Sequence, residues 1–312
     1  MDRFPTLRTL LTENLKSNST SNEDKLRAWS KPPSQTEIDK CERAERMVKQ
    51  AIDEDPKLSQ MDISVYSKGS YANRTNIPSD SDVDIAVVAN NYFFNTYPEG
   101  TTAANFGFSD SSYLYSTFKD DVARAIKNKF GATEVTVGEK CVKIRSNSCR
   151  VDADVVPHFI HRRYALDKSY YEGVAIRKSD GGTIYNWPQQ DYDNGVSKNE
   201  ATGKRYKAIV RIIKNIRSEM KGQGYKSADK APSYLIACLA WNLQDYFFAE
   251  DSYTKMTEDA LSYLIERTSD LANVSKWVEV NDLKYLFHSS QAWKPDEVHQ
   301  FLVDAKRFLS EM

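Results

Sequence analysis

The stretch that most constrains this chain is Lys68–Val88, KGSYANRTNIPSDSDVDIAVV. Its end, continued by Ala89, reads as a strand apolar enough to be buried on both faces, yet that strand opens on aspartates. Side chains two residues apart in a strand point the same way. Asp82 and Asp84 therefore stand side by side while Val83 and Ile85 face the core. Like charges on one face repel, so this arrangement calls for a compensating cation. Seventy residues after Asp84, the string VDADVVP repeats the device. There Asp154 sits at a second buried strand, with Val151, Ala153 and Val155 on the opposite face.

Three carboxylates from two adjacent strands make a hard oxygen cage. It suits two Mg²⁺ or Mn²⁺ ions, which in such sites also hold substrate phosphates, and a bridged pair of ions suits in-line displacement at phosphorus. The Gly-Ser at Gly69 and Ser70 is the complementary part: glycine lets backbone come close to a phosphate, and Ser70 offers a hydroxyl and an N–H. An Asp-x-Asp pair alone is ordinarily a turn or a solvated strand face, and a Gly-Ser alone says less. The specific signal is the combination with a third, apolar-flanked aspartate. Asp80 with Asp82 also fits the spacing, but Asp84 leads directly into the apolar run and Asp80 reads as a turn cap. Asp152 shares a face with Asp154 and is the second choice for the third carboxylate. His158, His161 and Cys149 follow no common zinc spacing.

The rest of the 312-residue chain has room for one large domain or two ordinary ones. With 40% hydrophobic and 28% charged residues it reads as a soluble globular protein. No apolar run approaches the ~18 residues of a membrane span, and the N-terminus lacks the basic-then-apolar order of a secretory signal. Four cysteines without CxxC spacing read as reduced thiols in a cytoplasm. The net charge of −1 lacks the basic excess of a non-specific binder of long nucleic acid and favours a small-molecule substrate.

Periodicity divides the chain. Leu7, Leu10, Leu11 and Leu15 share a helical face over 4–15, and Pro32–Pro33 stop a segment that runs to Trp29. Ser34–Glu37 is a capping box that opens a helix to about Asp53, with Ile38, Cys41, Val48 and Ile52 inward. ISVYSKG is a strand, residues 90–109 a polar connection, and 110–130 a helix with Leu114, Phe118, Val122 and Ile126 inward. TEVTVGEKCVKIRS and CRVDADVVPHF are two strands joined at Asn147–Ser148, and a hairpin turns at Asp180–Gly182. From Gly203 helices dominate, over 204–220, 232–248, 256–270 and 295–311, with Pro295 as a first helical residue. The expectation is an α+β core over 1–200, including the N-terminal helices, and a helical domain over 201–312, with the ligand in the cleft between them. On helix 204–220, Ile209, Ile212, Ile213, Ile216 and Met220 form the buried stripe, while Lys204, Lys207, Arg211 and Lys214 line a neighbouring face able to neutralise triphosphates. Taken singly, Lys204 or Lys207 reads as a solvated residue, and Tyr234 reads equally as core.

These strings resemble the nucleotidyltransferase superfamily of DNA polymerase β type. GSYANRTNIPSDSDVDIAV and DADVVPHF, continued by GGTIYNWPQQDYDNG, KRYKAIVRIIKNIR and APSYLIACLAWNL, are similar to the cGAS/DncV-like nucleotidyltransferases of bacterial CBASS anti-phage systems. The resemblance spans roughly residues 25–250. It implies a polymerase-β-like core with a mixed sheet, packed against a C-terminal helical lobe. It further implies that Gly69 and Ser70 bind the donor triphosphate and that Asp82 and Asp84 hold both metals. Asp154 would hold the catalytic metal and help deprotonate the attacking hydroxyl. Lys214 falls where the family places a lysine on phosphates, and Ser233 and Tyr234 where it has a phosphate-touching Ser and a base-stacking Tyr. The implied activity joins NTPs into a cyclic di- or trinucleotide second messenger that activates a separate effector protein. The implied enzyme is a cytoplasmic bacterial monomer. The chain carries nothing comparable to the His/Cys-rich zinc insertion of the animal DNA sensor, which removes the ground for control by long DNA. The alternatives are a template-free polymerase making linear products, like a poly(A) polymerase or oligoadenylate synthase, and an inactive nucleotide-binding sensor.

Overall fold

The computed structural model describes residues 22–78, 82–109, 111–148, 150–289 and 291–312. The helix expected over 4–15, Asp80 and Cys149 lie outside these residues. In chain order the elements begin with a helix over 22–29 (α1), α2 (Gln35–Glu54), β1 (Ile63–Lys68), α3 (Gly69–Ala72), β2 (Val83–Thr96) and α4 (Tyr115–Phe130). Five strands follow: β3 (Val135–Val137), β4 (Val142–Ile144), β5 (Ala153–Tyr164), β6 (Tyr170–Arg177) and β7 (Thr183–Asn186). The chain continues as α5 (Pro188–Ala201), α6 (Arg205–Gly222), α7 (Ser233–Trp241), α8 (Tyr253–Thr268), α9 (Leu271–Val274) and α10 (Pro295–Glu311). This is the expected α+β class. The described residues form two compact units. A sheet unit takes the described residues of 33–73 and 80–192; a helical unit takes those of 1–32, 74–79 and 193–312. Among the described residues no helix is long and apolar enough to cross a membrane.

In the sheet unit the strand order is β1-β2-β5-β4-β3, with β6 beside the later half of β5 and β7 beside β6. β2 and β5 run parallel, and the other pairs are antiparallel. Val83, Ile85 and Val87 of β2 pack with Val155 and Phe159 of β5 against α2 and α4, through Val48, Phe118, Val122 and Ile126. Each such side chain, fully buried, contributes about 1.5–3 kcal/mol. α2 starts on the expected capping box: Ser34 Oγ accepts from Glu37 N–H at 3.3 Å, and Glu37 Oε2 accepts from Ser34 N–H at 2.8 Å.

The sheet departs from expectation in three places. β2 continues to Thr96, through residues expected to be a connection. Tyr92 and Phe94 each lie 5.2 Å from the Phe159 ring, and a register shift between Ala89 and Phe93 keeps β2 on β5. The pairing comes from a strand some seventy residues away in sequence, so the polar Asn90–Asn91 pair misleads. TEVTVGEKCVKIRS is a hairpin, β3 and β4, closed by Gly138 N–H to the Cys141 carbonyl at 2.8 Å. Leu114, expected inward, immediately precedes α4 and is 61% exposed.

The helical unit packs α6, α7, α8 and α10 around Ile209, Ile212, Ile213, Ile216, Leu239 and Phe301. The α6 stripe is as read from periodicity, and Pro295 opens α10. α7 stops at Trp241, short of the expected 248. There the Asn242 amide donates to the carbonyls of Cys238 (2.7 Å) and Val278 (2.8 Å), so a side chain occupies a carbonyl at the helix end. α5 was not expected, because its PQQDYDNGVSKNEA sequence has no clear apolar stripe.

Candidate active site

The parallel register of β2 and β5 sets Asp84 directly opposite Asp154. On its other side Asp84 faces Lys68, the last residue of β1, and Asp154 faces Lys143 of β4. The chain turns from β1 into α3 at Gly69, whose φ of 67° lies in the left-handed region. A Cβ at Gly69 would sit 2.9 Å from Asp84 Oδ2, so two separate causes demand glycine there. On the edge strand, the Glu45 carboxylate of α2 accepts Ser67 N–H at 2.8 Å and Ser67 Oγ–H at 2.5 Å, which fixes the approach to Gly69.

Burial pushes the Asp84 carboxyl above the usual carboxylate range. The Asp154 and Asp82 charges add to the rise, and Lys68 and Lys143 oppose it. Lys143 Nζ lies 3.4 Å from Asp154 Oδ1, and that carboxylate raises the lysine. Asp82 is exposed just before β2. Among the described residues no three His, Cys, Asp or Glu side chains are gathered into a preformed metal cage. The structure brings Asp84 and Asp154 together, with Asp82 near enough to act on Asp84 as a charge and with lysines balancing the excess. Hard, mutually repelling carboxylate oxygens remain the donor set that a divalent cation fits. Asp152, the second choice, accepts Ser146 N–H at 2.6 Å and so serves the turn before β5. His158 is fully buried and held neutral, chiefly by burial, and His161 Nδ1 lies 2.6 Å from the Phe94 carbonyl. Neither histidine joins a metal cluster among the described residues. A half-open cavity of about 360 Å³ adjoins Gly69 and is bordered by Tyr66, Lys68, Asn73, Gln189 and Tyr192.

Lys143 gives the site a measurable property. A cation held by Asp84 and Asp154 would be repelled by the Lys143 ammonium, 3.4 Å from Asp154 Oδ1. Lys143→Met is therefore expected to tighten nucleotide-free Mn²⁺ binding by about two- to fivefold, a modest effect because the lysine is half exposed. Lys143→Arg is expected to leave it unchanged. Mn²⁺ titration followed by the thermal midpoint checks this, and equal affinities for the wild type and the Met variant would refute it.

In the helical unit most of the basic face of α6 is buried, so Lys207 is not the solvated residue it reads as when taken singly. Lys204 is exposed at φ 68°, ahead of the helix, but Lys207, Arg211 and Lys214 are buried. The Arg211 guanidinium donates to the carbonyls of Ser30 (2.9 and 2.5 Å) and Arg74 (2.7 Å), and Lys214 Nζ donates to that of Thr75 at 2.8 Å. Burial, with the charges of Arg211 and Arg74, brings Lys207 down to about 8; burial brings Arg211 down to about 10. Arg217, not singled out from sequence, donates from one guanidinium nitrogen to Ser233 Oγ (3.1 Å) and the Ala231 carbonyl (3.0 Å). Its signal was there, three residues beyond Lys214 in the same basic series. Ser233 is the first residue of α7, and Tyr234 beside it is half-buried with its hydroxyl bonded to Glu279 at 3.1 Å.

Residues 193–310 match the cGAS/DncV-like nucleotidyltransferase C-terminal helical domain. Over 294 residues the chain is 44% identical to a cyclic dipyrimidine nucleotide synthase CdnE of Legionella pneumophila, covering 93% of this chain and 98% of that one. It is 38% identical to a synthase of the same description from Cecembia lonarensis, covering 90% and 96%. Its fold is similar to that of the Rhodothermus marinus CdnE c-UMP-AMP synthase with Apcpp and Upnpp, with a TM-score of 0.79, 30% identity, and coverage of 93% and 95%. The identity and coverage place a nucleotidyltransferase active site on this chain, which belongs to the cGAS/DncV-like nucleotidyltransferase family.

Proposed function

We propose that this enzyme, a cyclic oligonucleotide synthase, condenses two pyrimidine nucleoside triphosphates into a cyclic dinucleotide at Asp82, Asp84 and Asp154. The observation that carries the reading is the pairing of Asp84 with Asp154 in adjacent parallel strands, with Gly69 fitted against Asp84. The choice of pyrimidines is supported by the two cyclic dipyrimidine synthases at 44% and 38% identity.

Asp82, Asp84 and Asp154 would hold two Mg²⁺ or Mn²⁺ ions, which when bound supply charge neutralisation of the triphosphate and activation of the attacking hydroxyl. Gly69 admits the donor triphosphate close to the backbone, and Ser70 offers it a hydroxyl and an N–H. Asp154 takes up the proton of the acceptor ribose hydroxyl as its oxygen bonds to the donor α-phosphorus. The bond to pyrophosphate breaks in the same displacement. Ser233 meets phosphate and Tyr234 stacks on the donor base. Lys214, with one of its three N–H donors on the Thr75 carbonyl, meets phosphate with another. The linear intermediate then re-enters the site and a second displacement closes the ring. The product acts on a separate effector protein in bacterial anti-phage signalling.

Incubation with all four NTPs and Mg²⁺ or Mn²⁺, then phosphatase and mass spectrometry, tests the reading. The expected result is a phosphatase-resistant mass of two pyrimidine nucleotides. A resistant product containing purine would remove the base assignment, and products that phosphatase trims throughout would show linear synthesis instead.

A further inference from the structure

Tyr234 is held by more than packing. Its hydroxyl donates to Glu279 Oε2 at 3.1 Å and accepts from Asn281 Nδ2 at 3.0 Å. Glu279 and Asn281 are each only 3% exposed. The same carboxylate takes three further donors: Asn281 Nδ2 on Oε2 at 2.9 Å, Gln291 Nε2 on Oε1 at 2.6 Å, and Lys284 Nζ 3.3 Å from Oε1. Desolvating a carboxylate is costly unless every oxygen is satisfied. Here both are, by side chains drawn from one irregular stretch between α9 and α10.

That stretch is itself pinned. Glu279 N–H donates to the Lys284 carbonyl at 2.8 Å, Asp282 N–H to the Glu279 carbonyl at 3.0 Å, and Leu286 N–H to the Trp277 carbonyl at 2.8 Å. Asp282 Oδ1 accepts Trp241 Nε1–H at 3.0 Å, tying the loop back to the end of α7. A tyrosine serving only as filler at the start of an apolar helix has no need of a buried acid. Phenylalanine would fill the space without it. What the network adds is a direction as well as a position for the far end of the ring: the O–H bond and the accepting lone pair of a conjugated phenol lie near the ring plane, so a fixed acceptor in Glu279 and a fixed donor in Asn281 together favour one ring plane.

We propose that Glu279 is a positioning residue for nucleobase binding. With Asn281 it clamps the Tyr234 hydroxyl so that the ring presents a single plane to the donor base. This rests on the reading of Tyr234 as the base-stacking residue. Stacking requires ring and base to lie parallel, so a ring free to tilt loses part of that contact even though its atoms remain. The ring supplies the stacking surface and Glu279 acts only through it.

The test is the affinity of the whole enzyme for a non-hydrolysable UTP analogue, measured alongside KM and kcat. Tyr234→Phe and Glu279→Ala are each expected to weaken binding and raise KM by about three- to tenfold, with kcat within about twofold. The double variant is expected to be no weaker than the worse single one, because both remove the same contact. Tyr234→Ala, which removes the ring, is expected to be weaker than Tyr234→Phe. If Tyr234→Phe and Glu279→Ala bind as wild type while Tyr234→Ala is weakened, the clamp is wrong and the stacking stands. If Tyr234→Ala also binds as wild type, the reading of Tyr234 fails and takes the clamp with it. Should Glu279→Ala not fold, Tyr234→Phe decides alone, since it removes a single oxygen.

Discussion

Asp84→Asn is expected to abolish pyrophosphate release and, at the same time, to make the metal-free protein more heat-stable. The loss of activity should be roughly 10³-fold or more, since the ions this carboxylate is proposed to hold would supply several kcal/mol of transition-state charge stabilisation and each ~1.4 kcal/mol is tenfold in rate. The gain in stability follows from the raised carboxyl. Burial lifts it, Asp154 and Asp82 lift it further, and Lys68 and Lys143 only partly offset them. An acid raised in the folded state favours folding below its unfolded value, near 3.8, and that contribution is lost as pH rises through the folded value. At pH 7 the ionised Asp84 therefore costs the metal-free fold stability, and asparagine removes the cost. The thermal midpoint at pH 7 without metal should rise, the rise should shrink toward pH 4, and the upward shift on adding Mn²⁺ should disappear. Retained turnover, or a lower midpoint at pH 7, would contradict the placement of Asp84 in a strained acidic pair.

Gly69→Ala has the second largest expected effect, for an unrelated reason. Alanine at φ 67° costs about 1–2 kcal/mol of backbone strain. Its methyl group would in addition stand 2.9 Å from Asp84 Oδ2, so either the turn or the carboxylate must move. Relief by up to 1 Å would displace the oxygen proposed to hold metal, and a misplacement of about 1 Å costs about 10²-fold in kcat. The thermal midpoint should fall by only about 2–8 °C, since 1 kcal/mol shifts it by about 2–4 °C at 150–250 residues. Steady-state kinetics together with a melting curve separate the two effects. A Gly69→Ala enzyme within threefold of wild-type kcat would show that the close approach to Asp84 has no catalytic consequence.

Much of the site was legible because its signals are local. The alternation Asp82-Val83-Asp84-Ile85 declares which side chains face the core, and VDADVVP does the same around Asp154. The capping box at Ser34 and the isoleucine stripe of α6 are likewise short-range patterns, and both stand in the structure as read. What could not be read depends on partners distant in sequence. Asn90–Thr96 became strand because β5 offers it a neighbour. Lys207, Arg211 and Lys214 have the spacing of a single basic face, which says nothing of their burial. Arg211 and Lys214 are buried and donate to the carbonyls of Ser30, Arg74 and Thr75, over 130 residues away. Glu279 carries no motif, and only its contact with Tyr234, 45 residues earlier, marks it.

Sequence alone thus determined the α+β class, the pairing of acidic residues with an apolar strand, and the glycine that must approach them, because side-chain period and glycine's freedom act over a few residues. Tertiary structure decided which cations balance those acids, which basic residues are buried, and what holds Tyr234 in place. Desolvation and hydrogen-bond satisfaction are set by whatever the fold brings alongside, and no local pattern records that.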